Sequence, residues 1–278
     1  MKLNILRADP AGNITAFVLD EVPREHHGEI AKAILSLDAL KAEQVAFRCK
    51  GASGEMNRIE MSGGEFCGNA SRAFGMLLAK ERGLTGQCRV EIEISGCDAP
   101  VSVEVDTDAQ TASAEMPLPV YVARRCADGA AGTLVHLGGI ALLVAEVEPD
   151  RSFFDRAESV FDEFPALEAY GVVFLTKDGR MTPLIKVPAA DSLVWEGSCG
   201  SGSIACAIAE SEGTEGKFTK EYIQPAGTIR AAVVRVGGKP VSARIGGRVT
   251  LDAPQVIDIR LDDKSGCRMT GKAFPDEV

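Results

Sequence analysis

Apolar and polar residues alternate along this chain with two different periods, and the switches between them outline its elements. Residues 2–6 and 14–19 have the strand period and flank Asp9-Pro-Ala-Gly-Asn13, which predicts a hairpin. Over residues 29–40 the period becomes helical, with Ile30, Ala33, Ile34, Leu37 and Leu40 on one face, and a strand over 43–47 follows. A short strand is predicted at 58–61, a helix at 70–80, and strands at 90–94, 101–105 and 112–116. Met116-Pro-Leu-Pro119 then reads as a linker.

The second half repeats the order. Residues 134–147 read as strand, 152–169 as helix, 172–175 and 181–187 as strands, and 191–195 leads into a glycine-rich turn. A helix at 204–210 and closing strands at 229–236, 241–245 and 248–251 complete it. The repetition predicts two domains of like construction, 1–117 and 118–262, with residues 263–278 expected to return to the first.

Each half carries a cysteine between a glycine-rich turn and a helix: Cys67 in Met61-Ser-Gly-Gly-Glu-Phe-Cys-Gly-Asn-Ala, and Cys199 in Trp195-Glu-Gly-Ser-Cys-Gly-Ser-Gly. A thiol at a helix N-terminus faces N–H groups without intrahelical partners and the positive end of the macrodipole, so it is expected to be primed to ionise. Cys49, Cys88, Cys97, Cys126, Cys206 and Cys267 read instead as small buried apolar residues.

Composition narrows the partners. A net charge of -10 argues against nucleic acid, whose phosphates need clustered Lys and Arg, and favours a small-molecule substrate. No apolar run approaches the roughly 20 residues of a membrane span, and the first residues lack a signal peptide's apolar stretch, so a cytoplasmic location is expected. No Cys-x-x-Cys pair supports a metal site, and no phosphate-binding glycine motif supports a nucleotide cofactor. Whether two copies pair as a homodimer stays open.

Two thiols facing one carbon suit racemisation: a thiolate removes a proton from one face while a thiol returns one to the other. The carbanion needs stabilisation, which backbone N–H groups of Gly68, Asn69, Gly200 and Ser201 can give to a substrate carboxylate. Glu65 and Glu196 either orient an ammonium group or sit at solvated helix starts. His26 and His27 lie in a polar loop that reads as surface, and His136 reads as a satisfied interior residue. Pyridoxal chemistry is not excluded by pattern, but opposed thiols make that cofactor unnecessary.

These two cysteine motifs resemble those of the diaminopimelate epimerase and proline racemase superfamily, and Asp9-Pro-Ala-Gly-Asn13 is similar to its substrate-contacting N-terminal turn. The resemblance implies an α/β (α+β) fold of two similar domains, each a curved, mostly antiparallel sheet or barrel around a central helix, with the active site in the cleft between them. It also implies a cofactor-independent isomerase with Cys67 and Cys199 catalytic and Asn13 at the substrate. Glu43-Gln-Val-Ala-Phe, Ser95-Gly-Cys97, Pro183-Leu-Ile185 and Trp195-Glu-Gly-Ser-Cys-Gly-Ser-Gly resemble the histidine racemases of staphylopine biosynthesis, a likeness that implies Glu43 as a substrate ligand, histidine as substrate and a metal-chelating product pathway. Residues 191–198 lack the arginine with which diaminopimelate epimerases bind a distal carboxylate, and His136-Leu-Gly-Gly139 replaces their Asn-Pro-His. Diaminopimelate, another amino acid, and a non-catalytic amino-acid-binding protein of the same fold are the alternatives.

Overall fold

The computed structural model describes residues 1–164, 166–188 and 191–259, and shows a mixed α/β chain built mostly of sheet. Its first half runs β1 (Lys2–Asp9), β2 (Thr15–Val18), α1 (His27–Leu35), β3 (Gln44–Cys49), β4 (Arg58–Met61), α2 (Gly68–Glu81), β5 (Gln87–Ile94), β6 (Val101–Asp106) and β7 (Thr111–Glu115). The second runs β8 (Tyr121–Ala127), β9 (Ala130–His136), β10 (Ile140–Ala145), α3 (Arg151–Ala157), β11 (Ala169–Leu175), β12 (Met181–Val187), β13 (Ser192–Trp195), α4 (Gly200–Glu210), β14 (Gly216–Ile223), β15 (Thr228–Val236), β16 (Lys239–Arg248), β17 (Thr250–Leu251) and β18 (Gln255–Asp258).

The same topology occurs twice. Strand β1 pairs antiparallel with β2, α1 carries the chain to a parallel β3, and β3 pairs antiparallel with β4 before the first cysteine. Likewise β9 pairs antiparallel with β10, α3 leads to a parallel β11, and β11 pairs antiparallel with β12 before the second. A 12-stranded sheet has the order β14-β15-β16-β7-β6-β5-β4-β3-β2-β1-β17 with β18 also on β1, and a six-stranded sheet the order β13-β12-β11-β10-β9-β8. Late strands thus join early ones: β16 pairs with β7, and β17 and β18 with β1.

Helix α2 is buried from Gly68 to Ala79, with Asn69, Ser71 and Arg72 enclosed among its apolar residues, and is exposed only at Lys80 and Glu81. Strands β1–β7 curve around it, packing Phe17, Ile59, Ile92 and Val103 against Ala70, Phe74 and Leu78. Each large side chain so buried contributes about 1.5–3 kcal/mol, which anchors the helix that presents Cys67. Helix α4 is enclosed in the same way, by Val135, Leu142 and Val173 of one sheet and by Ile229, Ala231 and Ile245 of the other. The amphipathic α1 covers the outer face of β1–β3, and α3 the outer face of β9–β12. Among the described residues no helix is long and apolar enough to cross a membrane.

Several boundaries differ from the periodicity. Helix α1 stops at Leu35 rather than reaching residue 40, because Ser36 turns its hydroxyl onto the Ala33 carbonyl at 2.7 Å; the turn beyond still buries Leu40. The apolar run 134–147 is a hairpin, β9 and β10, reversed at Gly138 with φ +93°. The helix expected over 152–169 ends at Ala157 and passes through a 3₁₀ turn, Glu158–Phe161, before β11. Phe164 precedes a proline, which disfavours α geometry there. Helix α4 starts at Gly200 rather than 204. Cys126 is exposed rather than buried, while Cys267 and the expected 263–278 segment lie outside the described residues.

Candidate active site

The first cysteine turn is held from below. The Ser95 hydroxyl accepts from Met61 N at 2.9 Å and donates to the Glu65 carbonyl at 2.9 Å, clamping both ends of the loop between β4 and α2. Gly96, at φ +70°, lies so close beneath the Phe66 backbone that a side chain could not fit. The pair Ser95-Gly96 therefore props the loop, whereas Cys97 turns away to the Ala99 carbonyl. Cys67 is the N-cap of α2 in extended conformation (φ -134°, ψ 110°), its sulfur accepting from Ala70 N at 3.4 Å.

Cys199 repeats this at α4, with φ -119°, ψ 112° and its sulfur accepting from Gly202 N at 3.2 Å. Both caps are tightened by a serine four residues on: Ser71 Oγ donates to the Cys67 carbonyl at 2.9 Å and Ser203 Oγ to the Cys199 carbonyl at 2.8 Å. Each also has a glutamine. Cys67 Sγ lies 3.3 Å from Gln44 Oε1, and Cys199 N donates to Gln224 Oε1 at 2.6 Å while Gln224 Nε2 donates to Ser203 Oγ at 3.0 Å.

The two helix starts meet. A Cβ built on Gly68 would lie 2.9 Å from Ile245 Cδ1 and one on Gly200 2.8 Å from the same carbon, and Asn69 Oδ1 is 3.9 Å from the latter position. Glycine at both places lets the backbones approach across one methyl group, with Met116 beside them. Beyond, the Asp9–Asn13 turn, closed by Gly12 N donating to Asp9 Oδ1 at 2.7 Å, packs backbone to backbone on Ala226 and Gly227.

Carboxylates gather at the same place. Asn13 Nδ2 donates to Glu43 Oε2 at 3.1 Å, and the other Glu43 oxygen lies 3.8 Å from where a side chain on Gly197 would begin. The Glu196 carboxylate acts on the Cys199 thiol and feels the charge of Glu43. Burial raises the pKa of Glu196, with Glu43 adding to it, and burial raises that of Glu43, with Asp9 adding. The buried Ser198 hydroxyl, next to Cys199, has no hydrogen-bond partner among the described residues.

Burial also pushes both thiols up, Cys199 well above the usual thiol range, where the Glu196 carboxylate adds to the rise. The expectation of thiols primed to ionise is corrected here. A helix end contributes about 0.3–2 kcal/mol, at most about 1.5 pKa units, whereas desolvation reaches about 3–5 units. The N–H groups of Ala70 and Gly202 temper the rise without reversing it.

Of the other candidates, Asn69 offers its backbone N–H, since its side-chain oxygen is taken by Arg72 at 2.9 Å. Gly68, Gly200 and Ser201 likewise present first-turn N–H groups. Glu65 reaches Cys67 through charge, raising its pKa. Trp195 is exposed, its ring tilted by 38° against Phe174 with the centroids 5.7 Å apart. His27 is buried rather than at the surface, stacked on Phe47 at 3.8 Å with Nε2 3.0 Å from the Val22 carbonyl. His136 is half-buried, hydrogen-bonded to Gly138 and set against Phe164. Among the described residues no cluster of three or more His, Cys, Asp or Glu side chains could hold a metal ion.

Residues 2–255 match the family model described as the histidine racemase CntK N-terminal domain. The chain belongs to that family. It is similar to the histidine racemase of Fusobacterium nucleatum, 29% identical over 214 residues that cover 73% of this chain and 79% of the relative. It is also similar to the histidine racemase of Staphylococcus aureus, 24% identical over 263 residues covering 87% and 92%. Among solved structures, a predicted epimerase from Pseudomonas aeruginosa superposes with a TM-score of 0.65 at 15% identity, covering 92% of this chain and 99% of that one, which establishes a shared fold. Membership in the histidine racemase family makes the protein an isomerase of the racemase and epimerase type.

Gln44, Gln224, Ser71 and Ser203 join the site beyond the residues expected from sequence. The serines had a usable signal, because Cys-Gly-x-x-Ser occurs at both turns. Gln44 lies within Glu43-Gln-Val-Ala-Phe, beside a candidate ligand, whereas Gln224 arrives beside Cys199 from a distant stretch of chain with no local signal.

Proposed function

We propose that this racemase interconverts L- and D-histidine by a two-thiol proton transfer in a cleft between the two halves of the chain. The observation that carries the reading is the meeting of two cysteine-capped helix N-termini across Ile245. In the L-to-D direction, say, one sulfur as thiolate takes the α-proton, the Cα–H pair delocalises into the carboxylate, and the other thiol gives its proton to the opposite face. The couple is then reversed. The first-turn N–H groups of Gly68, Asn69, Gly200 and Ser201 receive the carboxylate, whose charge grows in the transition state; one such donor is worth about 2.7–4 kcal/mol.

Glu43, Glu196 and Asn13 receive the ammonium and imidazole. Two neighbouring carboxylates suit a cationic group, and the absence of an arginine from residues 191–198 leaves a second substrate carboxylate without a bidentate partner. The names of the curated relatives support histidine. The test is incubation of the purified protein with single L-amino acids in D₂O, following α-proton exchange and optical rotation. Histidine exchange that is lost in Cys67→Ala and in Cys199→Ala supports the proposal. Exchange of diaminopimelate or another amino acid in its place would redirect it to that substrate, and retention of exchange in either variant would remove the two-thiol mechanism.

A further inference from the structure

Both cysteine turns have a glutamine, and the two are aimed differently. Gln44, on β3, meets the Cys67 sulfur, whereas Gln224, which follows β14, meets the backbone of Cys199. Gln224 is buried and both ends of its amide are paired: Oε1 accepts from Cys199 N at 2.6 Å and Nε2 donates to Ser203 Oγ at 3.0 Å. The Ser203 hydroxyl donates in turn to the Cys199 carbonyl at 2.8 Å, and Ser203 N donates to the same oxygen at 3.1 Å. The ring closes on one residue, so the peptide groups on both sides of the Cys199 Cα are held from Gln224.

The same glutamine heads a tight turn. Gln224 N donates to the Gly227 carbonyl at 2.8 Å, and Ala226 N donates at 2.8 Å to the carbonyl of Gly197, two residues before Cys199. The turn also lies against the first half of the chain, where side chains on Gly12 and Gly227 would run into the backbones of Ala226 and Ala11. Gly12 N closes the loop that ends at Asn13, and the Asn13 side chain holds Glu43. Residues 224–227 are thus a spacer between the second thiol and the loop that carries Asn13.

A buried glutamine is a costly way to fill space, since each amide end must find a partner and an apolar side chain would pack as well. What glutamine adds is an acceptor and a donor in a fixed planar order. The acceptor serves the N–H of the N-cap residue, which the helix itself leaves without a partner, and the donor reaches its carbonyl through Ser203.

We propose that Gln224 is the positioning residue of Cys199: it fixes the backbone from which the sulfur projects, and through the 224–227 turn it sets that sulfur against Asn13 and Glu43 of the first half. The role rests on reading Cys199 as a proton-transfer group. Every group in the ring is neutral, so Gln224 acts through geometry.

The test joins amide hydrogen exchange to steady-state kinetics on the full-length protein. In Gln224→Met, which keeps the length and removes both bonds, the Cys199 amide is expected to exchange about tenfold faster while the Ala70 amide at the other helix start keeps its rate. The kcat for L-histidine should fall about 10- to 100-fold with KM within about twofold, because the thiol is misplaced while Asn13 and Glu43 stay in position. Ser203→Ala, which opens the same ring, should lower kcat too, and the double variant should cost little more than the worse single one. Unchanged kcat in folded Gln224→Met, or losses that simply add, would overturn the proposal. Should Gln224→Met not fold, Ser203→Ala decides: a faster Cys199 amide with a lower kcat supports the proposal, and an unchanged kcat overturns it. A wild-type protein that exchanges the α-proton of no amino acid would remove the two-thiol reading itself, whereas an active wild type with a fully active Gln224→Met overturns the role of Gln224 alone.

Discussion

Gln44 Oε1 stands 3.3 Å from the Cys67 sulfur, and its orientation is fixed because Gln44 Nε2 donates at 2.7 Å both to Asn13 Oδ1 and to Thr15 Oγ1. Asn13 in turn holds Glu43, so one chain of hydrogen bonds ties the thiol to the carboxylate at the far side of the site. Gln44→Glu would set a negative charge against the sulfur. Because a nearby like charge disfavours the thiolate, the ascending limb of kcat/KM against pH is expected to move up by about one unit and the neutral rate to fall about tenfold. A pH–rate profile of the variant checks this.

Glu196→Gln removes the charge that helps hold Cys199 protonated. The sign follows directly: Cys199 then loses its proton at lower pH, so the descending limb of the profile moves down. KM for histidine should rise, since one of two carboxylates facing the substrate's cationic groups is gone. Steady-state kinetics across pH separates the two effects, the limb reporting on Cys199 and KM on recognition.

Gly200→Ala places a methyl 2.8 Å from Ile245 Cδ1, where the two helix starts meet. Since a misplacement of about 1 Å can cost about 100-fold in rate, turnover is expected to fall far more than stability. Ile245→Val in the same chain removes the obstructing methyl and should recover much of the loss, a non-additivity measured by a double-mutant cycle on kcat.

Cys206 is fully buried in α4 but belongs to its packed side, against the core rather than the cap. Cys206→Ala should keep the racemisation rate and cost about 1 kcal/mol, seen as a drop of about 2–4 °C in Tm by calorimetry. It is the control that separates a buried cysteine from the two at the helix starts.

The parts of this molecule legible in sequence were those specified by neighbours in the chain. The strand at Arg58–Met61, the strand at Met181–Val187 and the cysteine turns declare themselves through local period and glycine. Strand β8 did not, because Arg124, Arg125 and Cys126 hide an alternation that has only one covered face; β14, with Lys217, Lys220 and Glu221, hid for the same reason. The pairing of β16 with β7 depends on contacts between residues such as Arg244 and Glu115, far apart in the chain. At the site, Gln44, Gln224 and Arg72 owe their places to tertiary packing, and periodicity is silent about that. The balance between helix-end field and burial at Cys67 and Cys199 was likewise invisible until the depth of each sulfur was known.

The central claim is that each face of the substrate's α-carbon meets its own thiol. Racemisation of L-histidine in D₂O, stopped at early conversion and read by mass spectrometry on the separated enantiomers, tests it most directly. A two-thiol couple puts solvent deuterium into the D-histidine formed while the recovered L-histidine keeps its protium. Deuterium appearing equally fast in recovered L-histidine would mean a single base serves both faces, and would contradict the account.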